Sequence, residues 1–409
     1  MSVKVIVVGG GAAGMISAIS AKKNGAEVTI LERNSRVGKK ILATGNGRCN
    51  YTNKFLDVKN YHGKNFKFVY SPLSQFGVEE TISFFEKLGI VPAIEDSGKV
   101  FPLSFQASSI LDVLRYELDN LGIETICNAF VKDIENKGGK FLINLKDGRR
   151  FSGDRVILAT GGKAMPSTGS DGNGYNLAKK LGHNIVDIFP GLVQLKLEEN
   201  FLKSINGVKV LGTAYLINKN KILREDRGDI LFTDYGISGP PILQLSRKAL
   251  ELLNNGKKPI LKISILNSID KNELEESLKI RFRYMPKKTI EIGLIGLINK
   301  RLIPVILKET KIDRLKNIAN LSNEEIEKIA HILTDWRFEI KGSKSWSNAQ
   351  VTAGGVDTRE IESSTMESKL VEGLYFAGEL VDIDGDCGGF NLQWAWSSGY
   401  IAGQNAGIK

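Results

Sequence analysis

Three glycines near the start of the chain, with a carboxylate behind them, have the types and spacing needed to hold a dinucleotide. They are Gly9, Gly11 and Gly14, and the carboxylate is Glu32, eighteen positions after Gly14. The first glycine permits a sharp turn, the second lets the backbone approach a pyrophosphate, and the third lets helix and strand pack closely. The carboxylate can accept hydrogen bonds from ribose hydroxyls, and its charge disfavours a 2′-phosphate. The motif therefore predicts a site for FAD or NAD rather than NADP.

The elements that must position this motif are present on both sides of it. The apolar run 3–8 predicts a strand, small residues after it predict a helix that stops near Gly25, and 27–31 predicts a second strand. Ala12 and Ala13 then lie at a helix N-terminus, where free N–H groups and the positive end of the dipole can bind the pyrophosphate. Strand, helix and acid together favour a dinucleotide site over a simple glycine-rich turn.

A polar, glycine-rich segment, 33–53, follows the second strand. We expect it to form a loop over the dinucleotide rather than a core element, because its glycines permit close backbone approach and its cations suit phosphates or the ring edge. An ordinary surface loop is the alternative. The residues expected to contact the cofactor are Arg33, Lys40, Gly45, Arg48, Cys49 and Asn50.

The next part of the chain predicts the rest of one dinucleotide-binding domain. The pattern over 66–121 is helical, 123–127 predicts a third parallel strand with Cys127 as a buried core thiol, and 130–152 alternates like a β-meander. A further strand, 155–159, leads into Thr160-Gly161, where bare backbone can pass the cofactor. Because no second strand–GxGxxG–helix unit follows, the sequence predicts one dinucleotide site and no separate nicotinamide domain.

The character of the sequence changes near residue 190 and changes back near residue 345. Between these points the pattern predicts antiparallel strands and one helix, and then an almost wholly helical stretch rich in lysine and glutamate. The last segment again carries glycine-rich turns, which suggests that the two ends of the chain form one discontinuous domain. The predicted domains are 1–190 plus 345–409 for the cofactor, 191–270 plus 337–344 as an inserted β-rich domain, and 271–336 as a small helical subdomain.

Composition narrows the possible functions. The 409-residue chain contains three cysteines without a CxxC pair and three scattered histidines, so we expect no disulfide framework and no metal site. A net charge of +10 would suit nucleic acid, but the lysines are interpreted as a solvated surface, and no nucleic-acid partner is expected. No apolar run is long enough to cross a bilayer, and the first apolar run is already strand one, so we expect a cytoplasmic protein without membrane contact.

These motifs resemble those of flavoproteins with two dinucleotide domains and, more closely, a bacterial family of aminoacetone-oxidase-like and bile-acid-dehydroxylation-type flavoproteins. The resemblance covers essentially the whole chain and is carried by 9–14, 44–53, 232–240, 351–356 and 388–396. It implies an α/β fold with a discontinuous FAD-binding Rossmann-like domain of the glutathione-reductase type, into which a β-rich domain and a small helical subdomain are inserted. It also implies that FAD is the cofactor.

The resemblance further implies roles for single residues. Glu32 would bind the adenosine ribose, the backbone near Val131 the adenine, and Thr160-Gly161 the dinucleotide, while Gly378-Glu379 would approach the ribityl-pyrophosphate. A helix N-terminus would face the pyrimidine side of the flavin ring, where reduced flavin carries negative charge. The residues of this helix start are Gly388, Gly389, Phe390, Asn391 and Leu392.

A loop at 232–240 departs from the family pattern, because Asp234 stands where histidine is expected in relatives. In the same loop, Tyr235 and Ser238 could face a substrate or could cap the helix that Pro240 begins; both interpretations stay open. Cys49 and Cys387 lie in flavin-proximal motifs and are interpreted as small packing residues rather than reactive thiols. No catalytic residue is identified.

The predicted function is that of an FAD-dependent oxidoreductase that transfers hydride between a small organic substrate and flavin N5. The absence of a nicotinamide domain favours an amine or aminoacetone oxidase that uses dioxygen. The alternative is an NAD(P)H-dependent flavin reductase of conjugated C=C bonds, of steroid or enone type. A non-enzymatic flavin-bound partner of RNA is a third possibility, which the scattered lysines disfavour.

Overall fold

The computed structural model describes residues 2–266 and 269–408. The helices are α1 (Ala12–Lys23), α2 (Tyr70–Gln75), α3 (Val78–Lys87), α4 (Ala107–Asn120), α5 (Asn173–Lys180), α6 (Pro240–Asn254), α7 (Lys271–Arg283), α8 (Ile290–Gly293), α9 (Ile303–Glu309), α10 (Asn323–Thr334) and α11 (Phe390–Gly407). The strands are β1 (Lys4–Val8), β2 (Glu27–Leu31), β3 (Thr52–Asn53), β4 (Tyr61–His62), β5 (Pro92–Ile94), β6 (Lys99–Pro102), β7 (Glu124–Ile126), β8 (Val131–Lys137), β9 (Lys140–Leu145), β10 (Arg150–Gly153), β11 (Arg155–Leu158), β12 (Ile185–Gly191), β13 (Leu195–Leu197), β14 (Lys209–Asn218), β15 (Lys221–Thr233), β16 (Gly236–Ser238), β17 (Ile260–Ser264), β18 (Trp336–Ser343), β19 (Val351–Val356), β20 (Leu374–Phe376) and β21 (Asp384–Gly385).

The chain divides into two compact units, which are Met1–Pro190 with Trp346–Lys409, and Gly191–Ser345. The first unit is therefore discontinuous, and the second is an insertion. The fold class predicted from the sequence, an α/β domain of Rossmann type with an inserted β-rich part, is confirmed. The finer division of the insertion into two domains stays a prediction. In the described part of the chain, no helix is long and apolar enough to span a membrane.

A five-stranded sheet forms the centre of the first unit, in the order β20-β11-β1-β2-β7. All of its pairings are parallel. Strand β1 lies in the middle, and Val5, Ile6 and Val7 are completely buried, as expected of a continuous apolar run covered on both faces. The predicted third strand is β7, at the sheet edge. Cys127, just after it, is only half-buried, so the prediction of a buried core thiol is wrong.

Helices α1 and α11, from opposite ends of the chain, pack on each other along their length. Glycines every fourth residue of α11 allow the backbones to approach, because a Cβ atom at any of them would overlap a carbonyl oxygen of α1. The three contacts join Gly399 to Ala13, Gly403 to Ser17 and Gly407 to Ala21. The residue numbers of α1 and α11 increase in the same direction along these contacts, so the two helices run parallel.

Two stretches of the first unit differ from the sequence prediction. The region 66–121 is interrupted by the antiparallel hairpin of β5 and β6, so it is not helical throughout. The segment 33–53 ends inside the core: Cys49, Tyr51 and Thr52 are completely buried, and β3 pairs with β6. The expectation that this segment could not be a core element is therefore wrong for its last five residues.

The inserted unit contains a closed barrel in the order β13-β16-β15-β14-β17-β18, with α6 packed on β15 and β14. Barrel closure leaves these strands without a free edge. The stretch 271–336 supplies α7 to α10, but long turns separate the helices, so it is less helical than predicted. Helix α10 has Ser322 as its N-cap and begins with a capping box, in which the Ser322 Oγ accepts a hydrogen bond from the Glu325 N–H.

Candidate functional site

In the turn between β1 and α1, some glycines are required by packing within the protein and one is not. Gly9 has a φ of +105°, and a Cβ atom there would lie 2.5 Å from the carbonyl oxygen of Ala159. A Cβ atom at Gly14 would overlap the carbonyl oxygen of Gly9. At Gly11, by contrast, a Cβ atom would meet nothing within 4 Å. Packing therefore explains Gly9 and Gly14, whereas the open space beside Gly11 fits the close approach of a ligand.

The first turn of α1 is left without a side-chain cap. Gly11 is the N-cap residue, no side chain among the described residues accepts a hydrogen bond from the helix start, and the first turn carries no acidic residue. The N–H groups that follow Gly11, beginning with those of Ala12 and Ala13, have no partner within the helix. They and the positive end of the dipole suit a pyrophosphate.

Glu32 is buried beside this turn, and its carboxylate is held from both sides. Its Oε2 accepts a hydrogen bond from the Gly10 N–H at 2.8 Å, and its Oε1 accepts from the Asn34 N–H at 2.7 Å and Nδ2 at 2.8 Å. A carboxylate has about four acceptor positions, so capacity remains for a ribose hydroxyl. Asn34 is a positioning residue that the sequence did not identify.

The start of β8, expected near adenine, lies next to Glu32. The Ala129 N–H donates to the Glu32 carbonyl oxygen at 2.8 Å, which connects Glu32 to the start of β8. The Val131 carbonyl oxygen accepts from Asn173 Nδ2 at 3.0 Å. Arg33 stacks on Phe130, 4.8 Å from the ring centroid. The guanidinium of Arg33 also pairs with Asp171 at 2.5 Å, so within the protein it already has an anionic partner.

The turns after β11 and β20 bring backbone close to α1. Gly161 and Gly378 both have a φ of +71°, and a Cβ atom at Gly378 would lie 2.9 Å from the Ala13 Cβ. Thr160 contacts Gly174 closely enough that a Cβ atom at Gly174 would overlap the Thr160 Oγ1. Of the predicted residues, Thr160 and Gly378 therefore lie beside the turn between β1 and α1.

Lys40 and Glu379, which are 339 residues apart in the sequence, form an ion pair. The Lys40 Nζ lies 2.6 Å from the Glu379 Oε2, and both side chains are about four-fifths buried. The Glu379 Oε1 also accepts from the Thr352 N–H at 2.9 Å. The pair connects the 33–53 segment to the end of β20, so the two residues predicted as separate cofactor contacts form one ion pair.

The start of α11 is a second glycine turn. Gly388 and Gly389 have φ values of +134° and +100°, and a Cβ atom at Gly389 would lie 2.5 Å from the Thr52 carbonyl oxygen and 2.9 Å from the Asn50 Oδ1. Asn50 is buried, and its Oδ1 has no hydrogen-bond partner among the described residues. An acceptor buried without a partner is unfavourable in the protein alone, which fits a ligand with donor groups at this turn.

Other residues of this turn have structural partners. The Asn391 side chain accepts from the Gly385 N–H and donates to the Gly385 carbonyl oxygen, each at 2.8 Å, so it closes the loop before the helix. Phe390 is buried, with its ring edge-on to Tyr61. Gly389 is the N-cap and supplies no side-chain hydrogen bond, so the N–H groups up to Leu392 form a second helix start without a cap.

Helices α1 and α11 are parallel, but their N-termini lie at different positions along the common axis direction. Gly399 of α11 lies level with Ala13 of α1, so Phe390 precedes that level by nine residues and Ala12 by one. At 1.5 Å per residue, the start of α11 extends beyond that of α1 by roughly 12 Å. FAD carries its charge at two separated places, the pyrophosphate and the pyrimidine edge of the flavin, with a five-carbon chain between them. The two offset helix starts fit this distribution of charge.

The side chains of Arg48 and Cys49, just before Asn50, are held by neighbouring residues. Burial raises the pKa of the Cys49 thiol to about 12, so this thiol stays protonated near neutral pH. Arg48 lies over Phe101, 4.6 Å from the ring centroid, and its Nη1 is 3.5 Å from the Glu95 Oε1. The interpretation of Cys49 as a packing residue agrees with this burial. Gly45 has a φ of +56° and contacts Asn50.

A histidine–carboxylate pair lies next to the start of α11 and was missed by sequence reasoning. The His62 Nε2 is 2.8 Å from the Asp386 Oδ1, and β4, which contains His62, pairs with β21 just before Asp386. The Asp386 carbonyl oxygen accepts from Asn391 Nδ2 at 3.1 Å. Because 324 residues separate the pair, no local spacing could have indicated it.

The predicted substrate residues Tyr235 and Ser238 belong to the inserted unit. The Tyr235 ring lies 4.3 Å from the Lys344 Nζ, and Ser238 is part of β16. Helix α6 has Gly239 as its N-cap and receives no side-chain hydrogen bond there. The interpretation that Tyr235 or Ser238 caps this helix is therefore wrong, and a role toward substrate stays a prediction.

Comparisons with known proteins agree with this geometry. The family model described as HI0933-like protein Rossmann domain matches residues 3–405. A 3-dehydro-bile acid delta(4,6)-reductase of Clostridium scindens is 38% identical over 405 residues, which cover 98% of this chain and 98% of the relative. A ribosomal RNA dihydrouridine synthase of Haemophilus influenzae is 31% identical over 401 residues, which cover 97% of this chain and 96% of the relative.

Among solved structures, a 3-ketosteroid-delta4-(5alpha)-dehydrogenase from Rhodococcus jostii RHA1 has a similar fold. The TM-score is 0.50 at 16% sequence identity, and the match covers 100% of this chain and 97% of that chain. At this identity the likeness concerns the fold alone.

Proposed function

Because the chain belongs to the HI0933-like protein Rossmann domain family and is an FAD-dependent oxidoreductase, we propose a reaction for it. The proposed reaction is the reduction of C=C bonds conjugated with a carbonyl group. NAD(P)H is the proposed electron donor. This is the alternative enzymatic function considered from the sequence.

The names of the two relatives support this reaction type. One is a delta(4,6)-reductase of a 3-dehydro compound, and the other makes dihydrouridine. Dihydrouridine differs from uridine by two hydrogens across the C5=C6 bond, and that bond is conjugated with the C4 carbonyl. Both names therefore describe saturation of a C=C bond that a carbonyl group activates toward hydride. We propose this shared chemistry for the present chain.

The structural observation that supports the FAD-dependent part of the proposal is the parallel, offset pair of uncapped helix starts at Gly11 and Gly389. In the proposed complex the N–H groups after Gly11 bind the pyrophosphate, Glu32 the adenosine ribose, and the backbone of Val131 the adenine. The N–H groups of Gly389 to Leu392 face the pyrimidine edge. The remaining proposed contacts of the cofactor are those named from the sequence, with Lys40 and Glu379 acting as one ion pair.

When bound, FAD supplies the hydride chemistry at N5. The protein contributes orientation and electrostatics. The α11 start favours negative charge at the pyrimidine edge by about 0.3–2 kcal/mol. Buried Asn50, with its unpaired Oδ1, would accept a hydrogen bond there and fix the position of the ring edge.

Reduction of a conjugated C=C bond also needs a proton, delivered to the carbon next to the carbonyl or to its oxygen. We propose that His62 holds this proton at its imidazole, with Asp386 orienting the ring. The support is positional, since Asp386 is bonded to Asn391 in the first turn of α11.

The competing function, oxidation of an amine or aminoacetone by dioxygen, rests on the single dinucleotide motif. The two functions separate in an anaerobic experiment on the purified holoprotein. We expect NADH or NADPH to bleach the flavin absorbance, and we expect cyclohexenone, a 3-keto-4,6-diene steroid or a uridine-containing RNA to restore it. Bleaching by aminoacetone, with peroxide formed on admission of air and no response to any C=C substrate, would refute the proposal.

A further inference from the structure

The positive charge of the chain is concentrated in one unit. Residues 191–345 contain 28 of the 56 lysines and arginines but only 19 of the 46 acidic residues, so this unit carries +9 of the net charge of +10. Within it, 279–316 contains eleven basic and three acidic residues. The flavin-binding unit is therefore nearly neutral, and the lysines are not scattered evenly as the sequence interpretation assumed.

Part of this excess forms one surface, which we call the basic ledge. It consists of the end of α7 and two chain segments, 286–291 and 314–319, that run antiparallel beside each other. The Ile318 N–H donates to the Lys288 carbonyl oxygen at 2.9 Å, and the Ile290 N–H to that of Lys316 at 2.9 Å. The exposed cationic and aromatic side chains of the ledge are Arg283, Tyr284, Lys287, Lys288 and Arg314.

The ion pairs made by carboxylates of α7 and α10 do not involve the exposed cations Arg283, Lys287, Lys288 and Arg314. Examples are Lys271–Glu327 and, at the half-buried Lys316 of the ledge, Lys316–Glu325, both at 2.7 Å. Within residues 2–266 and 269–408, Arg283, Lys287 and Lys288 form no ion pair. Arg314 has a long, exposed contact with Glu291 at 3.8 Å, which contributes little.

An aromatic side chain stands among these cations. Tyr284 is 83% exposed, and it lies in the sequence Arg-Phe-Arg-Tyr-Met-Pro-Lys-Lys (281–288), where Phe282 is buried. The interpretation of the basic residues as scattered therefore does not hold for this segment. An exposed aromatic ring flanked by cations is the arrangement that stacks on nucleic-acid bases while the cations bind phosphates.

We infer that the basic ledge binds RNA, with phosphates on Arg283, Lys287, Lys288 and Arg314 and an unstacked base on Tyr284. The inference deepens the proposed reductase function, on which it rests for its substrate: the C=C bond reduced is that of a uracil base in a folded RNA. Binding at the ledge is a property of the inserted unit and is measured without turnover, so the two proposals can fail separately.

The test uses the holoprotein and a fluorescent RNA hairpin with a uridine-rich loop. We expect binding that weakens as salt rises from about 50 to 200 mM, with a logarithmic slope of about −3 to −4 for four phosphate contacts. Replacing Arg283, Lys287, Lys288 and Arg314 together by alanine should reduce the slope by about 3 or more and the affinity by more than about tenfold. Tyr284→Leu should weaken binding without changing the slope.

A matched control removes four other exposed lysines of the same unit, Lys203, Lys221, Lys257 and Lys258, as alanine variants. The control should retain affinity within about threefold. The conservative changes Lys287→Arg and Lys288→Arg should retain binding, which shows that positive charge at these positions is what the RNA requires. Equal loss in the control and ledge variants would overturn the inference, as would binding of the ledge to phosphatidylglycerol vesicles but not to RNA. RNA binding without any reoxidation of the reduced flavin by that RNA would instead refute a uracil base as the substrate of the reductase.

Discussion

Replacing Gly11 by alanine separates cofactor binding from folding, because the structure assigns no packing role to this glycine. The backbone at Gly11 has a φ of −80° and a ψ of −167°, which alanine adopts without strain, and the added methyl group would meet no protein atom within 4 Å. The unfolded chain loses entropy, which stabilises the variant by about 0.4–1 kcal/mol. Alanine is a poorer N-cap than glycine by a similar amount. The free energy of unfolding of the flavin-free protein should therefore change by less than about 1 kcal/mol.

Cofactor affinity should fall much more, since the methyl group would occupy the space assigned to the pyrophosphate. Loss of one or two hydrogen bonds to a charged group, at about 1.5–3 kcal/mol each, corresponds to roughly a 10- to 10⁴-fold weaker Kd for FAD. Gly14→Ala is the matched contrast, because its methyl group would overlap the Gly9 carbonyl oxygen and should destabilise the flavin-free protein by about 1–3 kcal/mol. Urea unfolding and FAD titration by flavin fluorescence measure both quantities. Unchanged FAD affinity in Gly11→Ala would refute the placement of the pyrophosphate.

Four further predictions test single features of the discontinuous first unit. With a thiol pKa of about 12, Cys49 should resist alkylation at pH 8 in the native protein, as mass spectrometry of labelled peptides would show; rapid labelling there would contradict its burial. A double-mutant cycle of Lys40→Met and Glu379→Gln should give a coupling energy of about 0.5–3 kcal/mol by urea unfolding, and additive effects would contradict the ion pair. His62→Gln should slow reoxidation of the flavin by a conjugated substrate about 10²- to 10⁴-fold while bleaching by NADH is unchanged, and equal slowing of both steps would contradict its role in proton transfer. Burial lowers the pKa of His183 below its ordinary 6.5, so as pH falls the unfolded chain binds the proton before the folded chain does. The free energy of unfolding should therefore decrease as pH drops below about 6.5, and His183→Gln should weaken that decrease. Identical urea midpoints for both proteins at every pH would contradict this prediction.

The sequence predicted best what local spacing determines. The unit of β1, α1 and β2 could be predicted because its glycines and Glu32 lie within one short stretch, and each has a backbone or charge requirement that few other residues meet. The final helix could be predicted for the same reason, since Gly388 and Gly389 mark its start. The discontinuous fold class followed from finding both motifs at opposite ends of the chain.

Features that depend on distant partners could not be predicted. The segment ending at Asn53 looks polar, but the Thr52 Oγ1 donates to Gln393 and the Asn53 Nδ2 to the Gly388 carbonyl oxygen, each more than 330 residues away. These bonds satisfy the polar groups and allow burial. The His62–Asp386 pair escaped prediction for the same reason. The basic block at 281–288, by contrast, was visible in the sequence and was obscured by averaging charge over the whole chain.

The central claim is that the two ends of the chain hold one FAD between the starts of α1 and α11. A crystal structure of the yellow holoprotein tests it most directly. We predict electron density for the pyrophosphate beside Gly11 and for the pyrimidine edge of the flavin at Gly389 to Leu392, with Glu32 on the adenosine ribose. Density for FAD at any other place on the protein, or a flavin ring turned so that its pyrimidine edge points away from α11, would contradict the account.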